Sequence, residues 1–286
     1  MSKKIAAAAL LAWLLSTAVH ADDCMPLTVV ASVEIAPGSE GGIVIPANVG
    51  GQMAPMTIDT SAAISELTDD TVSALHLRTV PNQFGLYSIS GSHDELGAAA
   101  SPFGIGNIVA KSFVFRIGRR RSESAGMIGA DILKNYDVDF DLGGGKLNFV
   151  SQDHCFGKVV HWQTGPVAVV PITVLPDGRF VMSVEIDGHP LNALLDTASP
   201  ISRLVADAAH GQLGVSTDGL THTFETLSLE GIQVSKPTFR LVAGLEDSSH
   251  RSLDASEANL ALGMDVLRHL HFYIAYKEQR LYITSR

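Results

Sequence analysis

The sequence has few cysteines, few charged residues and few long apolar segments, and each scarcity excludes a class of protein. Only two of the 286 residues are cysteine and they form no Cys-x-x-Cys pair, which excludes a zinc knuckle and a dithiol redox motif. Charged residues make up 17%, and the formal net charge is −10, which argues against nucleic-acid binding and against charge-driven adhesion to anionic lipid. The histidines show no metal-ligand spacing, and there is no Gly-x-Ser-x-Gly elbow or phosphate-binding loop. We therefore expect no metal, no cofactor and no nucleic-acid partner.

The most apolar stretch of the chain is at its N-terminus, and it is too short for a comfortable membrane span. Lys3 and Lys4 precede an apolar run from Ile5 to Leu15, and Val19-His20-Ala21 follows with small residues at a cleavage site. This pattern predicts a bacterial secretory signal peptide over residues 1–21. We expect the mature protein to be periplasmic or secreted, without stable membrane insertion.

The two cysteines stand near the two ends of the first half of the mature chain. An exported protein enters an oxidising compartment, where two cysteines more often pair than not. We therefore expect a disulfide between Cys24 and Cys155 that ties the mature N-terminus to the end of that half.

The most informative feature present is an internal duplication. Asp59-Thr60-Ser61 and Asp196-Thr197-Ala198 each follow an apolar, strand-like run. Downstream, Met127-Ile128-Gly129 is echoed 134 residues later by Ala261-Leu262-Gly263. A third pair of matching segments, again 134 residues apart, stands near the end of each repeat: Lys146–Phe149 and Arg280–Ile283. The chain is therefore predicted to be a duplicated lobe.

Strand-like alternation and frequent glycine-containing turns predict an all-β protein with short helices. Residues 22–160 form the predicted N-terminal lobe and residues 161–286 the C-terminal lobe. The segment from about Phe156 to Pro166 is polar and contains glycine and proline, and it is predicted to link them. The second lobe is shorter between its Asp-Thr and its Leu-Gly, so we expect its counterpart of the first lobe's mobile hairpin to be reduced.

These motifs resemble the aspartic protease superfamily, whose lobes carry hydrophobic-hydrophobic-Asp-Thr-small and later hydrophobic-hydrophobic-Gly before a short helix. Each lobe resembles the retropepsin-type unit, here fused as in the bilobal pepsin-like enzymes. The resemblance implies two lobes related by a pseudo-two-fold axis, with the active-site cleft between them. It also implies an exported aspartic endopeptidase that acts on peptide or protein substrates. Because duplication supplies both halves, we expect an active monomer.

The resemblance assigns catalysis to Asp59 and Asp196. Two carboxylates that share one proton can act as base and acid, and they cannot both ionise cheaply at contact distance. The resemblance implies that Thr60 and Thr197 lock the two loops together. It implies further that the small residues Ser61 and Ala198 let backbone N–H groups approach the carboxylates.

A difference between the repeats predicts how the two aspartates divide their roles. In the pepsin-like pattern the hydroxyl at Ser199 bonds the carboxylate of Asp196, whereas Ala62 offers Asp59 no such donor. A hydrogen bond to the charged form favours ionisation. We therefore expect Asp196 to ionise first and Asp59 to hold the shared proton.

The alternative is a protease-derived peptide-binding module that is catalytically weak or inactive. Ala198 in place of the usual glycine and the shortened second lobe favour it. Tight binding of a statine-type transition-state mimic would separate the two, because such binding needs an intact dyad.

Other residues are assigned local roles. The hairpin around Tyr87 to Gly97 is the predicted flap, and Arg119–Arg121 is a predicted solvated hairpin tip. Asp69 or Asp70 is predicted to cap a helix that runs through Leu75. Two recurring pairs are predicted to be structural, as helix caps and as hydrogen-bonding loop serines respectively: Asp131 with Asp265, and Ser65 with Ser202.

Overall fold

The computed structural model describes residues 24–81, 96–118, 122–163, 165–246 and 257–285. The predicted signal peptide and the predicted hairpin tip at residues 119–121 lie outside these ranges. No helix among the described residues has the length and apolar character needed to cross a bilayer.

The first repeat is built from short strands and two short helices. Its strands are β1 (Val29–Glu34), β2 (Ala36–Pro37), β3 (Ile43–Val49), β4 (Gln52–Ile58), β5 (Glu66–Thr68), β6 (Arg78–Pro81), β7 (Leu96–Ala100), β8 (Phe103–Ile105), β9 (Ile108–Ala110), β10 (Phe113–Gly118), β11 (Gly126–Ile128), β12 (Asp137–Asp141) and β13 (Lys146–Val150). Its helices are α1 (Asp69–Ala74) and α2 (Ala130–Leu133).

The second repeat follows the same order with fewer strands among the described residues. Its strands are β14 (Ala168–Val174), β15 (Phe180–Ile186), β16 (His189–Leu195), β17 (Arg203–Val205), β18 (Thr221–Thr223), β19 (Thr226–Leu229), β20 (Ile232–Ser235), β21 (Thr238–Val242), β22 (Leu260–Leu262), β23 (Leu270–Ala275) and β24 (Arg280–Ser285). Its helices are α3 (Ala206–Leu213) and α4 (Met264–Leu267).

The two repeats pair their strands in the same way around their Asp-Thr loops. In the first, β11 lies parallel to β4 and antiparallel to β5, and β5 lies parallel to β10. In the second, β22 lies parallel to β16 and antiparallel to β17, and β17 lies parallel to β21. The predicted fold class is confirmed: the protein is all-β with short helices, and it consists of two duplicated lobes with a cleft between them.

A shared sheet joins the lobes, with strand order β1-β13-β12-β23-β24-β14. At its centre β12 pairs with β23 so that Val138 faces Ile274, Asp139 faces Tyr273 and Phe140 faces Phe272. The repeats are 134 residues apart, so Tyr273 is the counterpart of Asp139, and these two residues face each other. Val138 faces the counterpart of Phe140, and Phe140 faces the counterpart of Val138. This register places the pseudo-two-fold axis between β12 and β23.

Polar groups are buried at this axis, and they are paired across it. Nε2 of His271 lies 2.7 Å from Oδ1 of Asp139. The hydroxyl of Tyr273 donates to Asp137 at 3.3 Å, and Nε2 of His154 lies 2.7 Å from the same carboxylate. Burial raises the pKa of Asp137, and His154 opposes that rise. The contact between the lobes is therefore specified by polar pairs as well as by apolar packing.

The segment between the lobes packs against this sheet. Val159 is fully buried, and the ring of Trp162 stacks on His271 with a centroid distance of 4.0 Å. Cys24 and Cys155 form the predicted disulfide, so that expectation is confirmed. The backbone N–H of Cys155 also donates to the carbonyl of Met25, which fixes the start of the described chain beside the end of the first lobe.

Two expectations about local structure have different outcomes. Helix α1 is capped by Thr68, whose hydroxyl accepts the N–H of Thr71, so the assignment of the cap to Asp69 or Asp70 is wrong. Both aspartates instead lie in the first turn, where negative charge is favourable.

In the second lobe, β18 pairs with β21 as β7 pairs with β10, and the described residues contain no counterpart of β6. The expected reduction of that hairpin is confirmed over the described part of the lobe.

Candidate active site

The two repeated aspartates lie where the ends of β4 and β16 meet. The N–H of Asp59 donates to the carbonyl of Ile128, and the N–H of Asp196 donates to the carbonyl of Leu262. Each bond continues a parallel strand pair for one residue, which fixes the position of the aspartate. The exposed fractions of Asp59 and Asp196 are only 0% and 1%.

The threonines that follow the aspartates interlock across the axis. The hydroxyl of Thr60 donates to the carbonyl of Leu195 at 2.6 Å, and the hydroxyl of Thr197 donates to the carbonyl of Ile58 at 2.6 Å. Each hydroxyl also accepts the N–H of the opposite threonine, at 3.2 and 3.4 Å. This reciprocal arrangement, which the sequence predicted, holds the two loops in one fixed relation.

Removing either threonine hydroxyl is expected to destabilise this contact. Thr60→Val and Thr197→Val keep the side-chain shape but leave a buried carbonyl without its donor, which costs about 1–3 kcal/mol each. Urea denaturation measures the loss, and Thr60→Ser and Thr197→Ser are the matched controls because they keep the hydroxyl. Valine variants as stable as the serine variants would show that these bonds do not hold the lobes together.

One oxygen of Asp59 receives three donors. The N–H and the hydroxyl of Ser61 donate to Oδ1 at 2.8 and 2.7 Å, and the N–H of Ala62 donates to it at 3.0 Å. Donors of this kind stabilise a carboxylate in its charged form. The expectation that a small residue at position 61 lets the backbone approach the carboxylate is confirmed, and the hydroxyl of Ser61 adds a bond that was not predicted.

Asp196 is held differently. Its Oδ1 accepts the N–H groups of Ala198 and Ser199 at 3.2 and 3.0 Å. The hydroxyl of Ser199 donates to the carbonyl of Ile201 at 2.8 Å, so the expected bond from this hydroxyl to the carboxylate is wrong. The second oxygen, Oδ2, instead receives Nη2 of Arg203 at 2.6 Å.

The expected division of roles between the aspartates loses the hydrogen bond on which it rested. Burial and the negative charge of Asp59 raise the pKa of Asp196 to about 7, although Arg203 opposes the rise. A raised pKa runs against the expectation that Asp196 ionises first. That expectation relied on the hydroxyl of Ser199, which turns away from the carboxylate.

Sequence reasoning missed Arg203. A signal was present, because this arginine stands directly before the apolar pair Leu204-Val205 at the start of a buried strand. A charged residue in such a place requires a partner. The sequence does not show that the partner is the aspartate seven positions earlier.

Comparison with known proteins identifies the fold. No protein-family model matches the sequence, and no curated protein is similar to it. Among solved structures the chain is similar to the aspartic proteinase from Irpex lacteus, with a TM-score of 0.53 and 13% sequence identity. The similarity covers 91% of this chain and 97% of that one. The fold is that of an aspartic proteinase.

In this aspartic-proteinase fold, a serine and an aspartate beside each Asp-Thr loop form a hydrogen bond that is equivalent in the two lobes. The hydroxyl of Ser65 donates to Asp131 and that of Ser202 donates to Asp265, both at 2.6 Å. The serine hydroxyls in turn accept the N–H groups of Gly129 and Gly263, each at 2.9 Å. The predicted structural role of the serines is confirmed.

The predicted capping role of Asp131 and Asp265 is wrong in its detail. Gly129 and Gly263 occupy the N-cap positions of the two helices, and each aspartate lies in the first turn. Burial raises the pKa of Asp131. A Cβ on Gly263 would lie 2.5 Å from the carbonyl of Ile201, so this position of the repeated motif requires glycine.

A cavity of about 200 Å³ lies beside the dyad on the side of the first lobe. Its wall includes Thr57, two residues before Asp59, and Ala198, two residues after Asp196. The approach of the lobes is close here, since a Cβ on Gly42 would lie 2.7 Å from the carbonyl of Ala198. The cavity therefore borders the strand that leads to Asp59 and the loop that follows Asp196.

Part of the predicted cleft lies outside the described residues. Of the predicted flap, only Leu96 and Gly97 are described, and they belong to β7, which pairs with β6 as a hairpin. Tyr87 is not among the described residues. Within the described ranges, no group of three or more His, Cys, Asp or Glu side chains could hold a metal ion.

Proposed function

We propose that this protein is an exported aspartic endopeptidase that hydrolyses peptide bonds with a water activated by Asp59 and Asp196. The observation that carries the proposal is the interlocked pair of loops. Two buried carboxylates stand at equivalent positions of the two lobes, and Thr60 and Thr197 hold them together. The resemblance of both Asp-Thr motifs to aspartic proteases and the likeness of the fold support it.

In the proposed mechanism each carboxylate has one role. Asp59 is the base, which takes a proton from the water as the water oxygen attacks the peptide carbonyl carbon. Asp196, whose pKa is raised, is the acid, which gives its proton to the carbonyl oxygen, and a tetrahedral diol results. When the diol collapses, the carbon–nitrogen bond breaks and the leaving nitrogen receives the proton that Asp59 gained. Asp196 regains its own proton from a diol hydroxyl as the new carboxyl group forms.

We also propose that the protein works as a monomer outside the cytoplasm. One chain supplies both aspartates, so the site needs no second copy. The disulfide between Cys24 and Cys155 suits an oxidising compartment, and the predicted signal peptide provides the route to it.

Digestion of a peptide library by the purified protein tests the function. We expect cleavage that a statine-type mimic blocks and that metal chelators and serine-acylating reagents leave unchanged. Mass spectrometry in ¹⁸O water should show one heavy oxygen in each new carboxyl group. The ¹⁸O readout confirms hydrolysis, and the mimic distinguishes this site from others, because it reproduces the tetrahedral intermediate.

Two results would contradict the proposal. Cleavage that persists under saturating mimic would place the reaction elsewhere. Binding of peptides and of the mimic without any cleavage would favour the alternative, a protease-derived binding module. The ion pair between Arg203 and Asp196 is the observation that favours this second candidate, because it occupies an oxygen of the dyad.

A further inference from the structure

Arg203 makes an ion pair with a buried carboxylate of the dyad. Its Nη2 lies 2.6 Å from Oδ2 of Asp196, and the same nitrogen donates to the backbone carbonyl of Glu246 at 2.7 Å. The side chain of Asp196 is 2% exposed and that of Arg203 is 19% exposed. Charges that are removed from water in this way interact strongly, so the pair is more than a surface contact.

The equivalent position in the first lobe carries the opposite charge. Glu66 follows Asp59 by seven residues, as Arg203 follows Asp196. Glu66 lies opposite Arg116 in the parallel pairing of β5 with β10, and the two form an ion pair at 2.6 Å. The first lobe thus uses this position for a pair between its own strands.

The second lobe places two like charges where the first places an ion pair. In the parallel pairing of β17 with β21, Arg203 lies opposite Arg240, which is exposed. Like charges placed opposite each other are unfavourable. The guanidinium of Arg203 makes its ion pair with Asp196 instead.

We propose that Arg203 is a positioning residue of the dyad, which holds the second oxygen of Asp196 and compensates the negative charge of the two aspartates. The proposal rests on the proposed function for its catalytic consequence, but its electrostatic part applies whether or not the protein cleaves peptides. The guanidinium of Arg203 takes the place of the serine hydroxyl that the sequence pattern suggested for this oxygen. It also distinguishes the two aspartates, because Oδ1 of Asp59 accepts donors from Ser61 and Ala62, whereas Oδ2 of Asp196 accepts a donor from an arginine on another strand.

The charges that act on Asp196 come from two elements. Asp59 at the end of β4 raises its pKa, and Arg203 on β17 lowers it. The neighbouring residues on β16 and β22, Leu195 and Leu262, are apolar. Asp265 on α4 is bound by Ser202. Removing Arg203 should therefore raise the pKa of Asp196, with Asp59 as the group whose titration is coupled to it.

The experiment is a ¹³C NMR titration of the aspartate carboxyl carbons in the folded protein. In Arg203→Met the midpoint of Asp196 should move to higher pH by about 1–3 units, because an opposite charge at this distance lowers a carboxyl pKa by that amount. Arg203→Lys should restore at least half of the shift. Arg240→Met is the matched control, since it removes a neighbouring arginine that does not contact Asp196, and it should leave the midpoint unchanged.

The pH profile of kcat/KM gives the second readout. Both limbs of the profile should move to higher pH in Arg203→Met, because the loss of positive charge makes both protons of the dyad harder to remove. If the midpoint of Asp196 moves no further in Arg203→Met than in Arg240→Met, the proposal is overturned. If the wild-type protein cleaves no peptide, the proposed function fails, and the NMR titration still decides the role of Arg203.

Discussion

Asp59→Asn and Asp196→Asn should each lower kcat by up to about 10⁴-fold, the upper end of the range for loss of a general acid or base. Asparagine keeps the size of the side chain but can neither accept the water proton nor give one to the carbonyl oxygen. The measurement is single-turnover hydrolysis of the best peptide from the library. Asp69→Asn is the matched control, because this aspartate is exposed in the first turn of α1 and should be silent.

Retention of the fold separates loss of chemistry from loss of structure. The pKa of Asp196 is about 7 in the folded protein and about 3.9 in an unfolded chain. Between these pH values the folded state binds a proton at Asp196 that the unfolded chain has lost. The resulting contribution to the free energy of unfolding is present below pH about 4 and is lost as pH rises through about 7. Asp196→Asn should show a flatter dependence of stability on pH over that window. An Asn variant at either aspartate with near-wild-type activity would remove the dyad from the mechanism.

Replacing both Cys24 and Cys155 with serine should lower the free energy of unfolding by about 3–5 kcal/mol. The disulfide closes a loop across a separation of 131 residues, and long loops gain the most from closure in the chain-entropy account. It anchors the segment that leads into β1, an edge strand of the shared sheet. Without it, that segment keeps the backbone bond from Cys155 to Met25 but loses its covalent hold.

Urea denaturation of the oxidised, reduced and double-serine proteins measures this effect. The reduced and double-serine proteins should agree, which controls for the substitution itself. Intact mass of the exported protein should correspond to a chain that begins at Asp22 and has lost two hydrogens. Two free thiols, or equal stability of the oxidised and reduced proteins, would contradict the prediction.

The sequence was sufficient for the fold and for the centre of the site because both are repeated. Asp59 and Asp196 end strands whose pairing is dictated by apolar runs and by a glycine that tolerates no Cβ, as at Gly263. Local patterns of this kind survive in a single sequence. The interlocking of Thr60 and Thr197 was expected from the resemblance of both motifs to aspartic proteases.

Contacts between side chains from different strands were not predictable in this way. The hydroxyl of Ser199 donates to the carbonyl of Ile201, which is two residues further along the chain, and the sequence does not show this choice of acceptor. The orientation of Arg203 depends on how the strands assemble, because its guanidinium donates both to Asp196 and to the carbonyl of Glu246, which is distant in sequence. Likewise, three polar residues compete to cap α1, and Thr68 is the one with extended backbone angles.

The polar pairs at the pseudo-two-fold axis favour association of the first half with the second half over association of two identical halves. By the repeat spacing, Asp137 corresponds to His271 and Asp139 to Tyr273, and each aspartate is paired with the opposite half's residue. Two first halves joined in the same way would bury four carboxylates together, with only His154 of each half to pair with Asp137. Two second halves would bring His271 and Tyr273 together without the aspartates that they contact here. Buried like charges are a strong penalty against a wrong partner. Neither half can therefore replace the other, and the two repeats are non-equivalent partners within one chain.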